Sequence, residues 1–142
     1  MAVQFIFQEV APLKALQKNK VKSLIRQILT DFSFLPGDIN YVFTTDEFLL
    51  GINQQYLKHD DYTDIITFPN YEGNKVHGDV LISLERIKEN AVEFKTGLLP
   101  ELLRVIIHGT LHLCDMTDKT PAQRKAMTEK EDFYLGVLNS MV

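Results

Sequence analysis

The sequence predicts an α+β fold, about four strands in one mixed sheet with helices packed on it. Short alternating or β-rich runs at residues 3–7, 39–43, 63–69 and 80–83 are separated by longer stretches with helical apolar spacing and capping residues. A further run, 98–114, is apolar on almost every side, as a helix enclosed by other elements must be. That helix belongs at the centre of the domain. With 142 residues, 45% of them hydrophobic and 24% charged, the chain fits one compact domain spanning 1–142.

Residues 3–7 alternate with Gln4 and Gln8 and read as a strand. After Pro12 a helix is expected to about Thr30, with Leu13, Leu16, Leu24 and Ile28 on its apolar side. Its other side carries Lys14, Lys18, Lys20, Lys22 and Arg26 without an intervening acid, although the chain has a formal charge of −4. This is either a phosphate-binding face or an ordinary solvated face, and the second is commoner. Past Pro36-Gly37, residues 39–43 form a second strand, and Thr44-x-x-Glu47 resembles a capping box that opens a helix to about Tyr56. A loop, 57–62, follows. The runs 63–69 and 80–83 flank Gly73-Asn74, so an antiparallel pair is expected, with Asp64 and Asp79 near strand ends. Ser83 caps a helix over 84–96 that Gly97 terminates. Thr120-Pro121-Ala122-Gln123 combines an N-cap, a first-turn proline and a capping-box glutamine, and starts a last helix to about Asn139.

The enclosed helix has one polar stripe. Arg104, His108 and His112 recur at steps of four, with Glu101 continuing the line. Each unsatisfied polar group in such a place costs about 1–3 kcal/mol, and a metal ion would satisfy both imidazoles. A third ligand must come from chain that folds back. Asp118, six residues past His112, is placed for it, although Asp115 is also near and an aspartate before a helix is often a cap. Three protein ligands leave a coordination position open, as a catalytic zinc requires.

His108-Gly109-Thr110-Leu111-His112-Leu113, followed by Asp118, resembles the signature His-Gly-x-Leu-His-Leu-x-Gly-Tyr-Asp-His of the YbeY family of metal-dependent endoribonucleases. Ile52-Asn53 to Tyr56, Asp60 and Thr63-Asp64-Ile65-Ile66-Thr67-Phe68 resemble its Leu-Asn-x-x-Tyr-Arg-x-x-Asp-x-Pro-Thr-Asp-Val-Leu-Ser-Phe segment. Gly78-Asp79-Val80-Leu81-Ile82-Ser83 resembles its Gly-Asp-Ile-x-Ile-Ser. The chain departs from the pattern in four places. Asp118 replaces the third histidine, Asp115-Met116 replaces Gly-Tyr, Leu57 replaces an arginine and Tyr62 a proline. Aspartate remains a competent zinc ligand, and Asp115 tolerates left-handed backbone. Arg104, Lys58 and His59 are the nearby cations that could stand in for the arginine.

The resemblance implies a single-strand-specific endoribonuclease of ribosomal RNA processing, including 3′ end maturation, and of ribosome quality control. It implies zinc or another transition-metal ion, one per chain, on His108, His112 and Asp118, with Arg104 as a phosphate contact. The implied partners are single-stranded or ribosomal RNA and ribosomal particles or a ribosomal protein.

Two other readings stay open: a metallopeptidase using the same histidine pair, and a noncatalytic ribosome-binding module that the metal merely stabilises. Against the first, Gly109 stands where His-Glu-x-x-His enzymes carry their base. His59 and His77 lie in polar loops and read as solvated. Asp64 and Asp79 read as turn formers or catalytic groups, Phe68 and Tyr71 as core or base-stacking rings. No run reaches the ~20 apolar residues of a membrane span, and the N-terminal residues lack a basic lead, so the expected location is the cytoplasm. The lone Cys114 leaves no internal disulfide and reads as a small core residue.

Overall fold

The computed structural model describes residues 2–57 and 63–141, without the side chain of Leu57. Lys58, His59, Asp60 and Tyr62, singled out in the sequence, lie outside the described residues. In chain order the elements are β1 (Ala2–Phe7), α1 (Lys18–Asp31), β2 (Leu35–Thr44), α2 (Asp46–Ile52) with a π-helical turn Asn53–Leu57, β3 (Ile65–Glu72), β4 (Lys75–Ser83), α3 (Leu84–Glu93), α4 (Leu98–Leu113) and α5 (Pro121–Ser140). The sheet has the order β1-β2-β4-β3 and is mixed, as expected: β1/β2 and β2/β4 are parallel, β3/β4 antiparallel.

Strand alternation divides the interior in two. Ile39, Tyr41, Phe43, Val80 and Ile82 meet α1, α3, α4 and α5 in the main core, whereas Leu81 and Ile66 on the opposite face meet Leu49 of α2. The enclosed helix, α4, buries Leu102, Val105, Ile106, Ile107, Leu111 and Leu113. Two side chains tie it to the strands. The Tyr41 hydroxyl donates to Thr110 Oγ1 at 2.6 Å, Thr110 itself donating to the Ile106 carbonyl. Tyr71 donates to the Leu113 carbonyl at 2.8 Å, satisfying one of the acceptors that a helix leaves open at its end.

Gly109 sets the depth of the contact. A Cβ added there would stand 2.7 Å from Ile65 Cδ1 and 2.8 Å from Val80 Cγ1. The helix therefore rests with its backbone almost on the sheet.

Several boundaries differ from the sequence reading, each for a local reason. Residues after Pro12 make a turn, closed by Leu16 N–H to the Leu13 carbonyl, and α1 begins only at Lys18. The strand expected at 39–43 runs from Leu35, because Leu35 and Pro36 already pair with β4 ahead of a register shift. Thr45, not Thr44, caps α2 and accepts from Phe48 N–H; Thr44 is the buried last residue of β2. Helix α3 ends at Glu93 in a Schellman turn with Lys95 at φ 55°, so Gly97 does not terminate it but precedes α4 as N-cap. Asp79 lies inside β4 rather than at its end and accepts from Asn40. Lys18 and Lys22 set their ammonium groups over the rings of Phe7 and Phe5, which occupies part of the basic face. Ser83 and the full Thr120–Gln123 capping box stand as expected.

The packing at Gly109 predicts that Gly109→Ala destabilises the fold by about 1–3 kcal/mol in urea unfolding, the cost of overpacking, even though alanine is the better helix former by about 1 kcal/mol.

Candidate metal centre

Helix α4 presents His108 and His112 one turn apart, on a flank of the helix beside the face that Gly109 sets against the sheet, with ring centroids 4.4 Å apart. At its C-terminus Asp115 adopts φ 70°. Asp115 N–H bonds to the His112 carbonyl and Met116 N–H to that of Leu111, a Schellman turn with aspartate where glycine usually stands. The turn reverses the chain, so Asp118 comes back over the two rings. Asp118 Oδ2 lies 3.3 Å from His108 Nε2 and 3.6 Å from His112 Nε2, and the two Nε2 atoms are 2.9 Å apart. Asp115 is exposed and makes the turn.

The protonation pattern of the rings follows from their other nitrogens. Met116 offers His112 Nδ1 a carbonyl at 2.9 Å, which only accepts, so Nδ1 carries the hydrogen. Glu131 places Oε2 2.6 Å from His108 Nδ1, with the same consequence. With the hydrogens on Nδ1, both Nε2 atoms face the space shared with the Asp118 carboxylate. A cation between them, a proton or a metal ion, offsets the repulsion of three electron-rich atoms so close together. Tetrahedral coordination with metal–ligand distances of about 2.0–2.1 Å separates donors by roughly 3.3 Å, near the spacing found. His108, His112 and Asp118, all half-buried, could hold a metal ion.

The centre opens onto a cavity of about 320 Å³ lined by Asp64, Phe94, Arg104, His108, Asp118 and Arg124, among others. A larger hollow of about 810 Å³ beside α1 is lined by Gln17, Lys18 and Lys20 and, among the described residues, contains no metal-ligating cluster. Arg104 sits one turn before His108, but its guanidinium faces α5: Nη1 is 2.9 Å from Glu131 Oε1 and Nη2 2.6 Å from Asp132 Oδ1. Burial pulls the His108 pKa down, Glu131, Asp118 and Asp64 push it up, and the net shift is upward. Burial raises the Asp64 carboxyl, with His108 opposing.

Other residues singled out in the sequence lie elsewhere. His77 is not simply solvated, since its Nδ1 accepts from Asp38 N–H beside the register shift of β2. Phe68 packs with the α2 cluster, and Tyr71 is spent on α4. Burial pushes the Cys114 thiol up to about 12, in keeping with a core residue. Sequence reasoning missed Glu131 and the Met116 carbonyl. A clue to Glu131 was its occupation of a buried position in the stripe Met127, Glu131, Tyr134, Leu138.

The family model described as Endoribonuclease YbeY matches residues 7–139. The chain belongs to the endoribonuclease YbeY family. A relative named Endoribonuclease YbeY from Parabacteroides distasonis is 44% identical over 138 residues, covering 97% of this chain and 96% of its own. One of the same name from Flavobacterium psychrophilum is 52% identical over 103 residues, 72% of this chain and 74% of the relative. The solution structure of a Thermotoga maritima protein superposes with a TM-score of 0.63 at 28% identity, over 94% of this chain and 88% of that one. The family is thus one of RNA hydrolases.

The raised Asp64 pKa has a sign that can be tested on chelator-treated protein. A carboxyl that binds its proton more tightly folded than unfolded contributes stability fully present below its unfolded pKa of about 3.9, and loses it as pH rises through the folded value. Asp64→Asn therefore raises the melting temperature at pH 7–8. The gain disappears toward pH 4.

Proposed function

We propose that residues 1–142 form a single metal-dependent endoribonuclease domain specific for single-stranded RNA, acting in the cytoplasm on ribosomal RNA, including its 3′ end, and in ribosome quality control. Zinc or another transition-metal ion is held by His108, His112 and Asp118. The observation that carries this reading is the convergence of two Nε2 atoms and a carboxylate beside an open cavity, in a chain of this family. Ribosomal particles or a ribosomal protein are the expected partners. No described helix is long and apolar enough to cross a membrane.

Such an ion, when bound, lowers the pKa of water toward 7 and stabilises charge developing on a phosphoryl oxygen. The chain's own residues do the rest. Met116 and Glu131 fix the tautomers of the two rings. Asp118 would close the donor set, and three protein ligands would leave one position open for water or substrate. Asp64, on the cavity wall, keeps its proton to higher pH than a solvated carboxylate, which suits it to protonate a leaving alkoxide oxygen. Arg124 lines the same wall and is the freer phosphate contact, because Arg104 already engages two carboxylates.

The peptidase reading loses ground at Gly109. That position faces Ile65 and Val80, so a side chain there would point into the sheet and could not act as base.

A labelled single-stranded ribosomal RNA fragment, incubated with zinc-loaded protein, is cleaved by the wild type. For His108→Ala/His112→Ala, purified in parallel, cleavage falls by more than about 100-fold, the upper end of what loss of an outer partner costs a metal site. Equal cleavage by both proteins refutes the assignment. Proteolysis of unfolded protein without RNA cleavage favours the peptidase, and tight binding to ribosomal particles without turnover favours the binding module.

A further inference from the structure

We infer that Glu131 and Arg104 form a positioning pair that orients His108 and sets the affinity of the metal centre, with Arg104 acting through Glu131 and not through the substrate. The inference rests on the reading of His108, His112 and Asp118 as a metal site. Glu131 is 6% exposed and occupies a core position of α5, in line with Met127, Tyr134 and Leu138. Folding alone gives no reason for a carboxylate there. Replacing a buried ion pair by apolar residues of like volume is often neutral or stabilising, whereas an unpaired buried charge is costly.

The contacts supply the reason. One oxygen of Glu131 accepts from His108 Nδ1 at 2.6 Å and the other from Arg104 Nη1 at 2.9 Å, so the carboxylate bridges α4 to itself across α5. Arg104 is also fastened by Asp132, the neighbour of Glu131 in sequence, which gives its planar fork two anchors on α5. Arg104 precedes His108 by four residues, so both side chains lie on one face of α4 and reach Glu131 from the same side.

The two imidazoles are backed unequally. A carboxylate faces His108, whereas His112 has only the neutral Met116 carbonyl. A carboxylate behind a ligating histidine fixes its orientation and raises its basicity, and its loss weakens metal affinity by about 10–100-fold.

The test measures the zinc dissociation constant without RNA, by competition with a chromophoric chelator, and the cobalt(II) absorption spectrum, for wild type, Glu131→Gln, Arg104→Gln and the double variant. Glutamine preserves the size of Glu131, and a melt of each variant verifies folding. Zinc binding weakens by about 10–100-fold in Glu131→Gln, with an altered cobalt spectrum. It weakens less in Arg104→Gln, and the double variant is no worse than Glu131→Gln. Cleavage at limiting zinc falls in step, while KM for RNA stays put. An unchanged dissociation constant in Glu131→Gln overturns the inference, as does an Arg104→Gln variant with normal zinc affinity and a raised KM for RNA. Wild type that binds no zinc overturns the metal-site reading itself, an outcome distinct from both.

Discussion

The contact between α4 and the sheet at Gly109 is the constraint on which the site depends. With no side chain at that position, the helix comes down close to Ile65 and Val80, and the adjoining flank of the same turns carries His108 and His112. The height and rotation of His108 and His112 thereby follow from a packing contact at the residue next to the first of them. Tyr41 and Tyr71 lock the same helix by hydrogen bonds, both in its last turn. The polar stripe of the helix is held separately, Arg104 and His108 by α5 and His112 by the Met116 carbonyl.

The donors come from segments that fold for unrelated reasons. The histidines follow from helical periodicity. Asp118 follows from a left-handed residue at Asp115 that turns the chain, and from the capping box at Thr120 that starts α5 directly afterwards. Glu131 follows from the docking of α5 against α4. Interactions within the core and at the helix ends therefore prearrange the site.

The parts legible in the sequence were those governed by short-range geometry. The pair at His108 and His112 could be read because four residues make about one helical turn, and Asp118 because the span between it and the helix is too short for many paths. The antiparallel β3/β4 pair was readable from Gly73-Asn74, and the caps at Ser83 and Thr120 from their local pattern. Distance along the chain hid the rest. Glu131 lies 23 residues from His108, and nothing but tertiary packing joins them. From the sequence Arg104 reads as a phosphate contact on a polar stripe, because the acids that bind it belong to another helix. Lys95 took the left-handed position assigned to glycine, a reminder that a Schellman turn can be formed by a residue without special freedom when its hydrogen bonds compensate. Thr44 and Thr45 offer the same hydroxyl, and only the reach of β2 decides between them.

Cys114 follows the helix that carries both histidines, yet its thiol is turned into the core and kept protonated. The donor set facing the cavity is consequently two nitrogens and one oxygen, with no sulfur. Thiolates are what let a protein discriminate soft ions such as copper(I), and imidazole–carboxylate sets instead rank the divalent ions in the order of their general complexing strength. With this donor set, the choice of ion passes from the ligands to the supply of metal around the protein. The absence of a reactive thiol also means that oxidants which strip metal from cysteine sites find nothing to attack here.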